Sequence, residues 1–563
     1  MYYIIVKQLK YIINMKRFIL SLTILVMAAS LTAQVSVWDG SYEEFDASND
    51  KGLTEDNPIL IENAAQLAYF SELFFCNMEN EDRYYRLTTD IDLNELEWQP
   101  IGGAYLESSC HGFWGFFDGD DHTIYHLTAP LFYSCNGYVK NVTVKESLIK
   151  VTEMDYCGAI SMFLGQGYME NCHNHADINF ETTKMSSAVY VGGVVGIVNS
   201  GDIRNCTNHG DINIYGEEAV EKMYVGGVTS KSVKITDSHN YGDITVKDCK
   251  FEQATVGGIS SDVYDMFCCS NHGGIDIEAT ITDSDYDYAL KCGGISGVMS
   301  CVNRKMNACY NKGDIDVDVT CGSEKIVSCG GLVACFDDDV NYNFTTEVSH
   351  SYNVGDVTAN IDNGVTYAGG IVGMGAYNAD EKGTLLKIYS CYNAGEMEAK
   401  FASGIVGFAD DGINAEVDNC FMSGHDNGYG DIVTDDFMKT EEFVNMLNKY
   451  GKFFVKDVEP FVNDGYPVLL DYSNIDGVDV AETIVENNIS VFPNPARDVV
   501  RLTTVNGQQT TVRIYNTLGM MVEEIEMNSD EIEINVSDYK RGMYFIEVQT
   551  EEGNFVEKLI VEN

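Results

Sequence analysis

One short phrase, returning between residues 172 and 397, restricts the fold more than any other feature of this chain. It reads Cys206-Thr207-Asn208-His209-Gly210-Asp211-Ile212, then Ser238-His239-Asn240-Tyr241-Gly242-Asp243-Ile244, then Cys269-Ser270-Asn271-His272-Gly273-Gly274-Ile275. An earlier copy runs from Cys172 to Ile178, and later ones from Cys309 to Ile315, Ser351 to Val357 and Cys391 to Met397. The shared asparagines are Asn174, Asn208, Asn240, Asn271, Asn311, Asn353 and Asn393, at steps of 34, 32, 31, 40, 42 and 40 residues. A double glycine alternates with them, at Gly192-Gly193, Gly226-Gly227, Gly257-Gly258, Gly293-Gly294, Gly330-Gly331 and Gly369-Gly370. Self-similarity at such a period marks a stacked array.

Small and β-branched residues alternating with period two, cut by Gly and by Asn-x-Gly-Asp, describe short strands turning corners. The expected fold class is therefore all-β: a parallel β-helix (β-solenoid) with short helical caps, followed by a small C-terminal β-sandwich. Equivalent residues in such a stack lie about 4.8 Å apart. A buried asparagine ladder can then pass amide hydrogen bonds from coil to coil, with Gly taking a positive-φ corner after each Asn. The Cys or Ser two residues earlier is expected to point inward. One coil of about three strands per repeat fits the spacing, and so do two shorter coils. Acidic segments such as Gly216 to Lys222 are expected to bulge as loops.

Lys16 and Arg17 precede an apolar run from Phe18 to Met27 and the small residues Ala28 to Ala33, the pattern of a secretory signal peptide over residues 1–33 with a natural start at Met15. The apolar core is too short to span a bilayer, and no transmembrane segment is expected once the signal is removed. Cleavage takes away Lys7, Lys10, Lys16 and Arg17 and no acid, so the net charge moves from −52 to −56. That charge argues against nucleic acid and anionic lipid as partners. Weak surface binding of Ca²⁺ stays open; otherwise no cofactor is expected. Seventeen cysteines in an exported chain suggest disulfides. Five of them share one repeat position where Ser238 and Ser351 substitute, so buried free thiols fit better, with a bridge such as Cys110 to Cys135 still allowed. No C-x-x-C pair or i, i+4 His pair suggests zinc.

Residues 34–135 are not repetitive and read as an N-terminal cap with the first coils, 136–425 as the repeat solenoid, 426–475 as a closing cap and 476–488 as a linker. Asn63-Ala64-Ala65-Gln66 is a capping box opening a helix whose apolar face holds Leu67, Phe70 and Phe74. Thr440-Glu441-Glu442-Phe443 opens a second, stopped at Gly451. Open ends of a solenoid are unpaired sheet edges, which caps must cover.

The series Asp90-Ile91-Asp92-Leu93, Trp98, Pro100-Ile101-Gly102, Phe113-Trp114-Gly115-Phe116-Phe117-Asp118-Gly119 and His122-Thr123-Ile124, leading into the double-glycine repeats, resembles the entry segment of bacterial surface β-helix proteins that carry the GLUG motif. The resemblance covers roughly Trp38 to Gly424 and implies fold and export. Related repeats flank the immunoglobulin-A-cleaving metallopeptidases, whose His-Glu-x-x-His helix this sequence lacks.

Residues 489–563 alternate strands with turn signals about every ten residues, the pattern of a small antiparallel sandwich. The blocks around Pro493-Asn494-Pro495, Leu518-Gly519, Arg541-Gly542-Met543 and Lys558-Leu559 closely resemble the C-terminal sorting domain of the type IX secretion system. The resemblance implies that this module engages the secretion machinery and that the chain reaches the outer surface or surroundings of a gram-negative bacterium.

Every reactive candidate has a plain alternative. His173, His175, His209, His239 and His272 cluster near the asparagines but trade places with Tyr and Lys, as an exposed corner would. Asp177, Asp211, Asp243, Asp314 and Asp356, with Glu396, form a row that could hold Ca²⁺ or simply follow from turn chemistry. Asp118, Asp120, Asp121 and His122 read as a turn between strands. No catalytic, cofactor or metal residue is assigned. The expectation is an adhesin-like or structural binding protein for a protein or glycan ligand, with loop aromatics such as Tyr286 and Tyr288 as contact points. The alternative is a polysaccharide-degrading β-helix enzyme, lyase or hydrolase, acting through paired carboxylates.

Overall fold

In a computed structural model the described residues are 35–470 and 489–561. Short stretches within them are excepted: 49, 77–81, 104–111, 153, 184–185, 301–303, 338–344, 378–384, 409–413, 425–428, 493–495, 498, 505–509, 517–520, 528–530, 538, 541 and 551–552. The expected signal peptide, Cys110, Pro493, Asn494, Pro495 and Gly519 lie outside the described residues. The chain forms two compact units, residues 1–470 and 471–563.

The first unit is a parallel β-helix, built from a 30-stranded and a 15-stranded sheet. Pairing runs Asn174 to Asn208 to Asn240 to Asn271 to Asn311 to Asn353 to Asn393, so one repeat is one coil. The stack continues beyond the asparagines with apolar residues, Ile91, Ile124 and Val144 before them and Met422 and Ile432 after. Where no loop interrupts, a coil is three strands: Thr229–Thr236, His239–Asn240 and Ile244–Gly257. Elsewhere loops break these into four or five shorter pieces. The segment expected to bulge turns only at 216–218, and Ala219–Gly226 is strand.

Three corners close each coil, and only two carry glycine. The third sits on the residue before the Cys or Ser column: Asn171, Asn205, Asp237, Cys268, Ala308, His350, Ser390 and Asn419 all have φ between 46° and 54°. Left-handed backbone therefore falls on side-chain-bearing residues here, which Asn and Asp tolerate best. The glycine after each asparagine, expected at positive φ, is not there. A Cβ on Gly242 or Gly273 would lie 2.0 Å from the carbonyl oxygen of the glycine one coil below, so close approach of backbones requires glycine at this corner. The double glycine has a related cause. A Cβ on Gly258 would sit 2.0 Å from Gly294 O and 2.4 Å from Asn271 Cγ. The two alternating phrases are thus halves of one packing arrangement, the second glycine making room for the asparagine.

Inside, Val, Ile and Cys stack on their equivalents, and Cys172, Cys206, Cys269, Cys309 and Cys391 are fully buried. Fourteen cysteines are free thiols, Cys135 included. Each fully buried Val or Ile contributes about 1.5–3 kcal/mol relative to exposure, and the core is continuous from Trp38 to Met422.

Both ends are covered. Helix α1, Ala64–Cys76, starts at Asn63, whose Oδ1 accepts the amide of Gln66 at 2.9 Å; Gln66 Oε1 accepts from Glu62 N at 2.7 Å. Its Phe70 and Phe74 pack on Tyr85 and Phe113. At the far end α2, Asp435–Met438, and α3, Glu441–Leu447, are capped by Thr434 and Thr440. Phe443, Val444 and Leu447 bury Tyr392 and Phe421 of the last coils, and Tyr392 donates its hydroxyl to Pro467 O. Residues 454–455 and 468–469 form the closing antiparallel pair.

The second unit is a sandwich of a three-stranded and a four-stranded antiparallel sheet. Val500, Leu502, Val512, Ile514, Ile534, Ile546 and Leu559 fill its core. Gly542 pairs with Val561 and Lys558 with Phe545 at the outer hairpin.

Candidate functional site

The seven asparagines are fully buried and form a continuous chain of amides. Each Nδ2 donates to Oδ1 of the next coil, from Asn174 to Asn393, at 2.8–2.9 Å. The second proton goes to a carbonyl two residues on, such as Gly242 O or Gly273 O at 2.8 Å. From Asn174 to Asn353 both amide protons are therefore consumed inside the corner. In chemical terms the ladder is structural.

The acid row has a comparable internal use. Asp177 Oδ1 accepts the amide of Asp211, Asp211 that of Asp243, Asp243 that of Gly274, Asp314 that of Asp356 and Asp356 that of Glu396, at 2.8–3.0 Å. Each carboxylate clips its coil to the next, and the row breaks at Gly274. Among the described residues no three His, Cys, Asp or Glu side chains converge on a metal position. Adding a chelator to the purified chain is expected to leave its melting temperature unchanged; a drop of several degrees would make the acid row a calcium site.

The histidines divide between two columns. His175, His209, Tyr241 and His272 stack face to face, at 4.3, 4.5 and 4.6 Å between centroids. Burial, with the charge of neighbouring cations, pushes His175 and His272 down to about 4, so they are neutral stacking rings at pH 7. His173 and His239 hydrogen-bond Thr207 and Ser270 of the following coil. Tyr286 donates to Glu221 at 3.1 Å with Lys222 over its ring, whereas Tyr288 begins a strand and packs with Val298, Cys335 and Met374. Asp120 and Asp121 form the turn between strands Phe116–Asp118 and Thr123–Tyr125, and His122 bonds Asp90 at 3.0 Å.

Asp118 belongs to something else. On the early coils four strands each carry an aromatic, an inward apolar residue and a charge: Tyr84-Tyr85-Arg86, Phe116-Phe117-Asp118, Tyr138-Val139-Lys140 and Tyr168-Met169-Glu170. In-register pairing converts these triplets into two outward columns. The rings of Tyr84, Phe116, Tyr138 and Tyr168 stack at 4.2, 4.8 and 5.0 Å, within 24° of parallel. Beside them Arg86, Asp118, Lys140 and Glu170 alternate in sign, continued by Arg204. Asp118 lies 3.4 Å from Arg86 Nε and 3.7 Å from Lys140 Nζ, and Lys140 reaches Glu55 at 2.6 Å. The hydrogen bond that Lys140 donates to Glu55 holds its ammonium pKa above the usual range. A recess of about 230 Å³ lies along these columns, bounded also by Glu55 and Pro58. Arg86 Nε is buried there without a hydrogen-bond partner. Apolar on one wall and polar on the other, the recess fits an amphipathic ligand with hydroxyl or amide groups.

Two comparisons bear on identity. Residues 490–562 match the family described as Secretion system C-terminal sorting domain. The chain is also similar to an endo-acting ulvan lyase of Formosa agariphila, 39% identical over 82 residues, which is 14% of this chain and 16% of that protein. The chain thus spans about a sixth of that relative's length. What the match at 490–562 establishes is a type IX secretion sorting domain, and with it a protein exported to the cell surface or the extracellular space.

Proposed function

We propose that this chain is an adhesin-like binding protein whose β-helix holds a ligand-contacting face rigidly outside the cell. The observation that carries this reading is the double column of aromatic and charged side chains, which four coils fix at the spacing of the sheet. A rigid platform of this kind binds without the entropic cost of ordering loops. The resemblance to GLUG-motif surface proteins and a secretory leader at residues 1–33 belong to the same reading. A glycan and protein binding array on the purified β-helix tests it, and binding to no member of either class would count against it.

The address is a separate matter of export. Removing residues 489–563 is expected to abolish surface delivery and leave the β-helix in the periplasm, since its core is self-contained; protease shaving of intact cells followed by immunoblotting checks this. A second reading, a polysaccharide-degrading enzyme, draws on the ulvan lyase similarity alone. A match to a sixth of that protein supports a shared module rather than a shared reaction. Release of unsaturated or reducing ends by the purified chain would establish it instead.

A further inference from the structure

We propose that the recess lined by Tyr84, Phe116 and Tyr138, whose ring column Tyr168 continues, is a binding groove for a neutral, linear polysaccharide lying along the helix axis, with one sugar residue per coil. This rests on the binding reading above and specifies its ligand.

The repeat distance comes first. Successive rings stand 4.2, 4.8 and 5.0 Å apart, and the charged column beside them has the same coil spacing. That spacing is close to the length of one pyranose unit in an extended chain, so each sugar meets an equivalent pair of columns. A peptide strand running the same way would have no such match, because its contacts repeat every two residues, about 6.6 Å.

The chemistry of the two walls points the same way. Because the rings stack on each other, their C–H edges, with the hydroxyls of Tyr84, Tyr138 and Tyr168, form the outer wall, an apolar surface with polar points whose electropositive edges suit sugar oxygens. The opposite wall alternates guanidinium, carboxylate, ammonium and carboxylate at Arg86, Asp118, Lys140 and Glu170. Alternating donors and acceptors suit vicinal hydroxyls, each of which both gives and receives a hydrogen bond. Arg86 Nε is buried and ion-paired with Asp118 at 3.4 Å but makes no hydrogen bond, so its proton is left for such an oxygen.

Charge selects the class of polymer. Asp118 and Glu55 already neutralise Arg86 and Lys140, Arg204 beside Glu170 is itself paired with Asp202, and the chain carries −52 overall. Uronate or sulfate groups would meet net repulsion here. The partner is therefore an uncharged glycan, of a kind that an exported protein meets outside the cell.

The test is affinity gel electrophoresis of the full chain in gels containing hydroxyethyl cellulose, galactomannan or a soluble β-1,3-glucan, with polygalacturonate and heparin as charged comparisons. Retardation by at least one neutral polymer and by neither polyanion is expected. Tyr138→Ala, at a ring already 40% exposed, should weaken it at least tenfold. Lys140→Met keeps the aliphatic stem, removes the donor and should do the same, while Tyr156→Ala on the other sheet should change nothing. Failure of the wild-type chain to bind any neutral polymer overturns the proposal. So does wild-type retardation of both groove variants, although the binding-protein reading would survive that result. Reducing ends released by the wild type and not by the variants would uphold the groove and overturn the binding-only reading.

Discussion

Replacing Asn271 with alanine is expected to lower the stability of the β-helix by about 3–5 kcal/mol, more than any surface change, because one buried amide serves three others. Asn271 Oδ1 accepts from Asn240, and its Nδ2 donates to Asn311 Oδ1 and to Gly273 O. Alanine leaves all of these groups buried and short of a partner. Asn271→Asp should be worse at neutral pH, since a carboxylate cannot donate and would face the Asn311 oxygen without a counter-ion. The structure supplies its own control. Asn393 has no asparagine beyond it, and Met422 already occupies the next position fully buried. Asn393→Met should therefore cost clearly less than Asn271→Met. Denaturant unfolding followed by circular dichroism compares them, and equal losses at the two positions would falsify the ladder as a cooperative element. Because each coil contacts only its neighbours, the unfolding of such variants is expected to lose its single sharp transition.

Raising the pH should unfold the protein well before its backbone is threatened. Burial pushes the thiols of Cys135, Cys249, Cys268 and Cys329 up to about 12, and holds Cys172, Cys269, Cys292 and Cys391 well above their ordinary value of 9.0. Tyr352 and Tyr392, also fully buried, are raised well above 10.0. For a raised acid the native state keeps its proton where the unfolded chain has lost it. Stability is thus intact below about pH 9 and falls as pH rises toward 12. Each fully buried thiol adds about 1.4 kcal/mol of loss per pH unit across that interval. The histidines set the other limit with opposite sign. His175, His272 and His350 are lowered from 6.5 to about 4, so their contribution is present above pH 6.5 and lost as pH falls toward 4. A melting-temperature profile should show a plateau between about pH 6.5 and 9, with the steeper descent on the alkaline side. A flat alkaline limb would mean the thiols are not buried as described.

The fold was legible because its determinants repeat as residue types: an asparagine that needs a neighbour of its own kind, and a glycine that must make room for it. The number of strands per coil was not legible, since the third corner is turned by Asn205, Asp237, Cys268, Ala308, His350 and Ser390, which share a backbone angle and no side-chain chemistry. The reason for the glycine at the Asn corner was also misread from the local phrase. Its constraint is a carbonyl 31 or 32 residues away in sequence, as for Gly273 over Gly242 and Gly242 over Gly210. The groove escaped for a different reason. Its aromatics are spaced by 32, 22 and 30 residues and its charges alternate in sign, so no search for like residues at one period would align them. The signal was a relation, aromatic then apolar then charged, present in four strands.

The apolar residues that close both ends of the asparagine stack have a consequence for how such proteins can change in size. Coils in the middle see the same neighbour above and below, so an internal duplication of residues such as 241–271 would insert one more Asn-for-Asn contact and leave α1 and α3 seated on their original partners. Reach could then grow in increments of one sheet spacing, about 4.8 Å, without redesigning a terminus. Relatives differing by whole coils, and not by fractions of one, are the expected family pattern.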